Sequence, residues 1–175
     1  MANLEPLIQS IPVAPLKLAS LEGCRTLADQ VNNYLVSFRH ESPTNVGQAD
    51  SLQGYCADSY LLECECPRFG SGEGKGVLKE SVRGCDLFIM VDVTNYSLTY
   101  RVNGYENHMS PDNHYQDLKR IISAADGKAR RINVIMPFLY EGRQHKRSKR
   151  ESLDCALMLQ ELVDMGVSNI LTFDA

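Results

Sequence analysis

Five of the eight residues from 143 to 150, in the order Arg-Gln-His-Lys-Arg-Ser-Lys-Arg, carry a guanidinium or an ammonium group. Guanidinium forks match phosphate oxygens in pairs, and ammonium groups add point charge, so this run has the chemistry of an anion site, phosphate above all. The same composition suits a solvated basic surface loop, and charge alone does not separate the two readings. A second candidate is the glycine run Gly70-Ser71-Gly72-Glu73-Gly74-Lys75-Gly76. A Walker loop would need glycine where Phe69 stands and Ser or Thr where Gly76 stands. The dinucleotide fingerprint fails as well, because residues 77–80 read as a strand where a helix would have to open. A flexible hairpin is the bland reading of the run. His114 has no Cys, Asp or His partner at metal spacing and is expected to pack or to lie on a helix surface.

The cationic run needs an element to position it, and residues 132–136 supply one. They form a short, apolar, β-branched stretch ended by Pro137, which predicts a buried strand. In open α/β sheets ligands sit outside the carboxyl ends of strands, so a strand there delivers its loop to the right edge for an anion. Residues 85–93 are the most apolar strand candidate and are expected at the centre of the sheet. Residues 16–19 predict a first strand. Ser20 is the candidate N-cap of a helix with Cys24, Leu27, Ala28, Val31 and Leu35 on one face. The polar stretch 40–59 predicts a loop, residues 60–69 a strand bent at Pro67, and the glycine run a turn into residues 77–80. Residues 94–109 are tyrosine-rich and hold Val102-Asn103-Gly104-Tyr105, a hairpin turn signal, so they predict an excursion from the sheet. Ser110-Pro111 opens a helix with Leu118, Ile121, Ile122 and Ala125 as its stripe, ending near Gly127. A last helix over 153–165, with Gly166 as its stop, and a strand over 169–173 complete an α/β order that implies a largely parallel sheet flanked by helices.

The chain has 175 residues and a formal net charge of −4, with a pI near 5.6. This size suits one domain: residues 1–15 as an irregular lead-in and 16–175 as the folded unit. An acidic protein with one basic loop lacks the broad cationic face that nucleic acid or a membrane surface requires, so neither is expected as a partner. The first twenty residues lack the charged start and unbroken apolar core of a signal peptide, and no stretch is long and apolar enough to span a bilayer. Six cysteines, at 24, 56, 64, 66, 85 and 155, show no zinc spacing and read as reduced thiols of a cytoplasmic protein.

Three ordered stretches carry a resemblance. Arg68-Phe69-Gly70-Ser71-Gly72-Glu73, with Glu80-Ser81-Val82-Arg83-Gly84 after it, resembles the Arg-Phe-Ser-Asp-Gly-Glu and Glu-Ser-Val-Arg-Gly segments of ribose-phosphate pyrophosphokinases. Tyr140-Glu141-Gly142-Arg143-Gln144 resembles the family's Tyr-Ala-Arg-Gln, and Leu171-Thr172-Phe173-Asp174 resembles its Thr-Met-Asp ending. The resemblance implies a phosphoribosyltransferase-like fold with a protruding glycine-rich hairpin, and the N-terminal half of a two-domain enzyme. That enzyme moves diphosphate from Mg-ATP to ribose 5-phosphate. It implies that Phe69 stacks on adenine, that Ser71 and Glu73 contact the nucleoside, and that Arg143 and Gln144 contact the adenine and phosphate end. Magnesium would arrive with ATP, with its ligands mostly outside this chain. The hairpin would reach the nucleotide site of a neighbouring subunit in a homo-oligomer. Ser71, His145 and Ser148 stand where the family has acids or Asn, and residues 94–109 read as an insertion. Such departures also suit a non-catalytic relative kept for assembly or regulation.

Overall fold

The computed structural model describes residues 12–41 and 54–174. Most of the lead-in, and residues 42–53 of the expected loop, lie outside the described residues. Five strands form one sheet in the order β2-β1-β5-β8-β9, and every neighbouring pair is parallel: β1 (Leu16–Ser20), β2 (Leu61–Leu62), β5 (Asp86–Met90), β8 (Arg131–Ile135) and β9 (Val167–Leu171). β5 is central, as expected of the most apolar strand candidate, with Leu87, Ile89 and Met90 all buried.

Alternation along the strands divides the core in two. Ala19, Leu87, Ile89 and Val134 face one side, where helix α2 (Pro111–Ala125) lays Leu118, Ile121 and Ile122, and helix α3 (Asp154–Asp164) lays Met158 and Leu162. Leu18 and Met90 face the other side, beneath Cys24 and Ala28 at the start of helix α1 (Arg25–Glu41). The start of α2 is as expected: Ser110 accepts from the Asn113 amide at 3.3 Å and Pro111 takes the first turn. The helix ends at Ala125, two residues before Gly127, with Asp126 as its C-cap in the left-handed region at φ 48°.

Three expectations are corrected. Ser20 does not cap α1. It pairs with Met90 as the last residue of β1, its hydroxyl donates to the Leu21 carbonyl at 2.9 Å, and a 3-10 turn at Glu22–Cys24 separates it from the helix. α1 also runs on through His40 and Glu41, which were expected in the loop. The single strand expected over 60–69 is two, β2 in the main sheet and β3 (Cys64–Glu65), which leaves it to pair antiparallel with β4 (Val77–Leu78). Residues 94–109 do form a hairpin of β6 (Thr99–Val102) and β7 (Tyr105–His108). Asn103 and Gly104 turn it with φ of 50° and 85°, as a two-residue turn between twisted strands demands.

Candidate functional site

At the carboxyl ends of β5 and β8 the chain opens a cavity of about 390 Å³, lined among others by Val93, Thr94, Tyr96, Phe138, Tyr140 and Arg143. The loop after β8 is held from below. The Met136 amide donates to Leu171 at 2.9 Å, and the Pro137 carbonyl accepts from Phe173 and Asp174 at 3.1 Å each. Tyr140 stacks on Tyr115 with centroids 4.5 Å apart and planes at 12°, and its hydroxyl donates to Asp112 at 2.7 Å. Burial first, and then that carboxylate, push the Tyr140 phenol well above its ordinary value. Tyr115 is shifted the same way by burial and by its 2.7 Å bond to Glu161, whose own carboxyl is held below the usual range by the Tyr115 hydroxyl. Tyr140 lines the cleft, and Tyr115, buried behind it, backs its ring.

Arg143 is exposed, with its guanidinium carbon 6.0 Å from the Phe138 ring centroid, and it makes no side-chain hydrogen bond or ion pair to another described residue. A planar cation at the mouth of an aromatic-lined cleft can stack on a flat base and face an anion together. Gln144 is placed otherwise. Its amide nitrogen donates to Ser152 at 2.9 Å and Lys146 at 3.2 Å, and its carbonyl accepts from Cys155 at 3.3 Å, so it fastens the cationic loop to the start of α3. His145 donates to the Gly142 carbonyl at 2.9 Å, and Ser148 bonds Glu151 through its amide at 3.0 Å and its hydroxyl at 2.9 Å.

The glycine run forms the turn of the β3–β4 hairpin. The Phe69 amide donates to Glu73 at 2.7 Å, the Gly72 amide to Phe69 at 2.9 Å, and the Ser71 hydroxyl to the Glu73 carboxylate at 2.7 Å. Phe69 is 53% exposed. At the base, Arg68 grips Asp117 of α2 with two bonds of 2.6 and 2.8 Å, and Arg120 takes the same carboxylate at 2.6 Å. Gly76 lies so close to the Arg120 backbone that a side chain there would strike its carbonyl, so this glycine serves packing rather than phosphate. Within one chain no hydrogen bond or ion pair among the described residues joins Phe69, Ser71 or Glu73 to Arg143 or Gln144.

Of the residues that line this cleft or anchor the hairpin, sequence reasoning named Arg143 as a candidate and gave no role to Phe138, Tyr140 or Asp117. Phe138 and Tyr140 follow β8 at alternate positions, a signal that the buried strand before them could have flagged. Asp117 gives no local sign, because its partner Arg68 lies far away in the chain. His114, expected to pack, does so: it is 3% exposed, and its Nε2 donates to the Asn95 carbonyl at 2.6 Å. Among the described residues no three His, Cys, Asp or Glu side chains converge as metal ligands, so no step is assigned to a magnesium ion held here. Nor is any described helix long and apolar enough to cross a membrane.

Fold and cleft together define an open, parallel α/β protein with an arginine and aromatic rings at the carboxyl edge of its sheet. Residues 16–166 match the N-terminal domain of ribose phosphate pyrophosphokinase, and the chain belongs to that family. It is 29% identical over 161 residues to the ribose-phosphate pyrophosphokinases of Corynebacterium ammoniagenes and Bacillus cereus, covering 91% of this chain and 39% of each relative. The chain thus spans about two fifths of the length of these relatives. The crystal structure of phosphoribosylpyrophosphate synthetase from Mycobacterium smegmatis shares its fold, with a TM-score of 0.63 at 24% identity over 90% of this chain and 41% of that one.

Proposed function

We propose that this chain is the N-terminal half of a ribose-phosphate diphosphokinase, which transfers diphosphate from Mg-ATP to ribose 5-phosphate, and that it contributes nucleotide-binding and subunit-contact residues. The observation that carries the reading is the cleft at the β5 and β8 ends, where Arg143, without an ion-pair partner among the described residues, stands beside Phe138 and Tyr140. Arg143 would stack on the base and direct charge at phosphate, while Gln144 would hold the loop that presents it. Phe69, Ser71 and Glu73 would act on a neighbouring subunit's nucleotide. An exposed Phe69 on an anchored hairpin, joined to Arg143 of its own chain by no hydrogen bond or ion pair among the described residues, supports that division within a homo-oligomer. Magnesium would come bound to ATP. Cysteines that are all free among the described residues fit a reducing, cytoplasmic setting.

The test is nucleotide affinity in the complete protein. Arg143→Lys keeps the charge and loses the fork and plane, so it is expected to behave like Arg143→Ala and lose ~1–3 kcal/mol of ATP binding. Lys149→Ala, on the same cationic run, is expected to cost less than ~0.5 kcal/mol. Equal losses at both positions would reduce the loop to a basic patch. A non-catalytic relative has one specific support, the substitutions at Ser71, His145 and Ser148. AMP release from ATP and ribose 5-phosphate by the complete protein would exclude it.

A further inference from the structure

One wall of the cleft has no assignment in the nucleotide reading. It comes from residues 94–109, the segment that reads as an insertion relative to the family pattern, and it brings Tyr96 to the same cavity as Phe138, Tyr140 and Arg143. Tyr96 is 66% exposed and yet fixed in place. Its ring stacks on the imidazole of His108, with centroids 4.5 Å apart and planes at 11°. The Nδ1 of His108 donates to the Tyr96 carbonyl at 2.9 Å, which locks the two residues together across the hairpin. The backbone on either side is tied as well. The Asn95 carbonyl accepts from buried His114, the Asn95 amide group reaches the Gly23 carbonyl at 3.4 Å, and Ser97 bonds back to the Asn95 side chain at 2.7 and 3.0 Å. The Met109 amide closes the far end on Leu98 at 2.9 Å.

His108 covers one face of the Tyr96 ring, and the residue remains largely exposed at the cavity. A ring fixed in advance can accept a flat partner without the ordering cost that a mobile loop would impose. We infer that Tyr96 is a base-recognition residue, and that the inserted hairpin supplies this chain's nucleotide cleft with an aromatic wall of its own. The inference rests on the nucleotide reading above. It assigns to the cleft a ligand with a planar base, a nucleoside polyphosphate, over a bare polyphosphate. Stacking of a base on an aromatic ring depends on the π-face and not on phosphate charge.

The discriminating experiment measures the affinity of the complete protein for ATP and for inorganic tripolyphosphate, which shares the charge and lacks the base. Tyr96→Ala is expected to weaken ATP about 5- to 150-fold, the range of one base stack, and to leave tripolyphosphate unchanged. Tyr96→Phe is expected within about twofold of wild type, because the ring remains. Tyr96→Leu, which keeps apolar bulk against His108, is expected to fall with Tyr96→Ala. Tyr105→Ala, at the exposed tip of the same hairpin and outside the cavity, is the unaffected control. Equal weakening of both ligands by Tyr96→Ala would overturn the inference, since the residue would then only shape the site. ATP affinity that falls with Arg143→Ala and not with Tyr96→Ala would sink this inference and leave the nucleotide reading standing. If neither variant changes ATP affinity, both fall.

Discussion

The β3–β4 hairpin is fastened to α2 by charge, through the Arg68 guanidinium on the Asp117 carboxylate that Arg120 of the same helix also holds, while the β6–β7 hairpin is fastened by neutral hydrogen bonds and a ring stack. Both are tied to residues of α2, through Asp117 for one and His114 for the other, and both carry an exposed aromatic residue, Phe69 on one and Tyr96 on the other. Charge holds with high stakes. The side chains of Arg68 and Asp117 are only 9% and 8% exposed, so neither has water to fall back on if its partner is removed. The neutral anchorage is spread over several bonds, of which His114 to Asn95 is the shortest. Two hairpins of similar outline therefore differ in how they should fail.

The largest effect is expected at Asp117. Asp117→Ala leaves two guanidinium groups without their shared partner and should cost ~3–5 kcal/mol, read from the denaturant midpoint of unfolding. A loss below ~1 kcal/mol would mean that the glycine contacts with Arg120 hold the hairpin unaided, and the contrast between the two anchorages would disappear. Next comes His114→Leu, which keeps the bulk and leaves the Asn95 carbonyl without its donor. It is expected to cost ~1–3 kcal/mol, and to loosen β6–β7 while β3–β4 stays protected in amide exchange.

The smallest effect near neutral pH concerns the thiols at the root of β3. Burial pushes Cys64 up to about 11, and burial with the Asp117 charge pushes Cys66 up to about 12, from an ordinary value of 9.0. An acid whose folded value is raised keeps its proton longer in the folded chain. Its stabilisation is therefore complete below pH 9.0 and is lost as pH rises through about 11 to 12. Unfolding free energy should be flat in this respect up to pH 9 and then fall, with a shallower fall in Cys64→Ala. An identical slope in the variant would remove Cys64 from the account.

Strands β1, β5 and β8 were readable as five-residue, largely apolar runs, and α2 because Ser110-Pro111 and the stripe from Leu118 to Ala125 are local signals. The Asn103-Gly104 turn was equally legible, since positive φ at both positions has few sequence solutions. Ser20 misled because a capping residue type and a strand end look alike until register is known, and its register with Met90 is set far along the chain. The charged clamp at Asp117 was invisible for the same reason. Among the cleft-lining residues, Arg143 was the one that the cationic run and the strand before it pointed to. That Gln144 turns its amide inward could not be read from a residue equally able to bond ligand or backbone.

Strand β2 pairs only Leu61 and Leu62 with β1, while β5 is paired along its length on both sides. A ladder that short opens at little cost, so the sheet carries a gradient of local stability from its core to this edge. One residue, Glu63, separates β2 from β3, and so from the hairpin that bears Phe69. Opening at the edge would release one leg of that hairpin while Asp117 still holds Arg68, which makes the clamp a pivot and β2 its latch. Amide exchange should find Leu61 and Leu62 among the fastest strand amides and Leu87 and Ile89 among the slowest. Phe69 would then sample a cone of orientations about a fixed base without any breach of the central sheet.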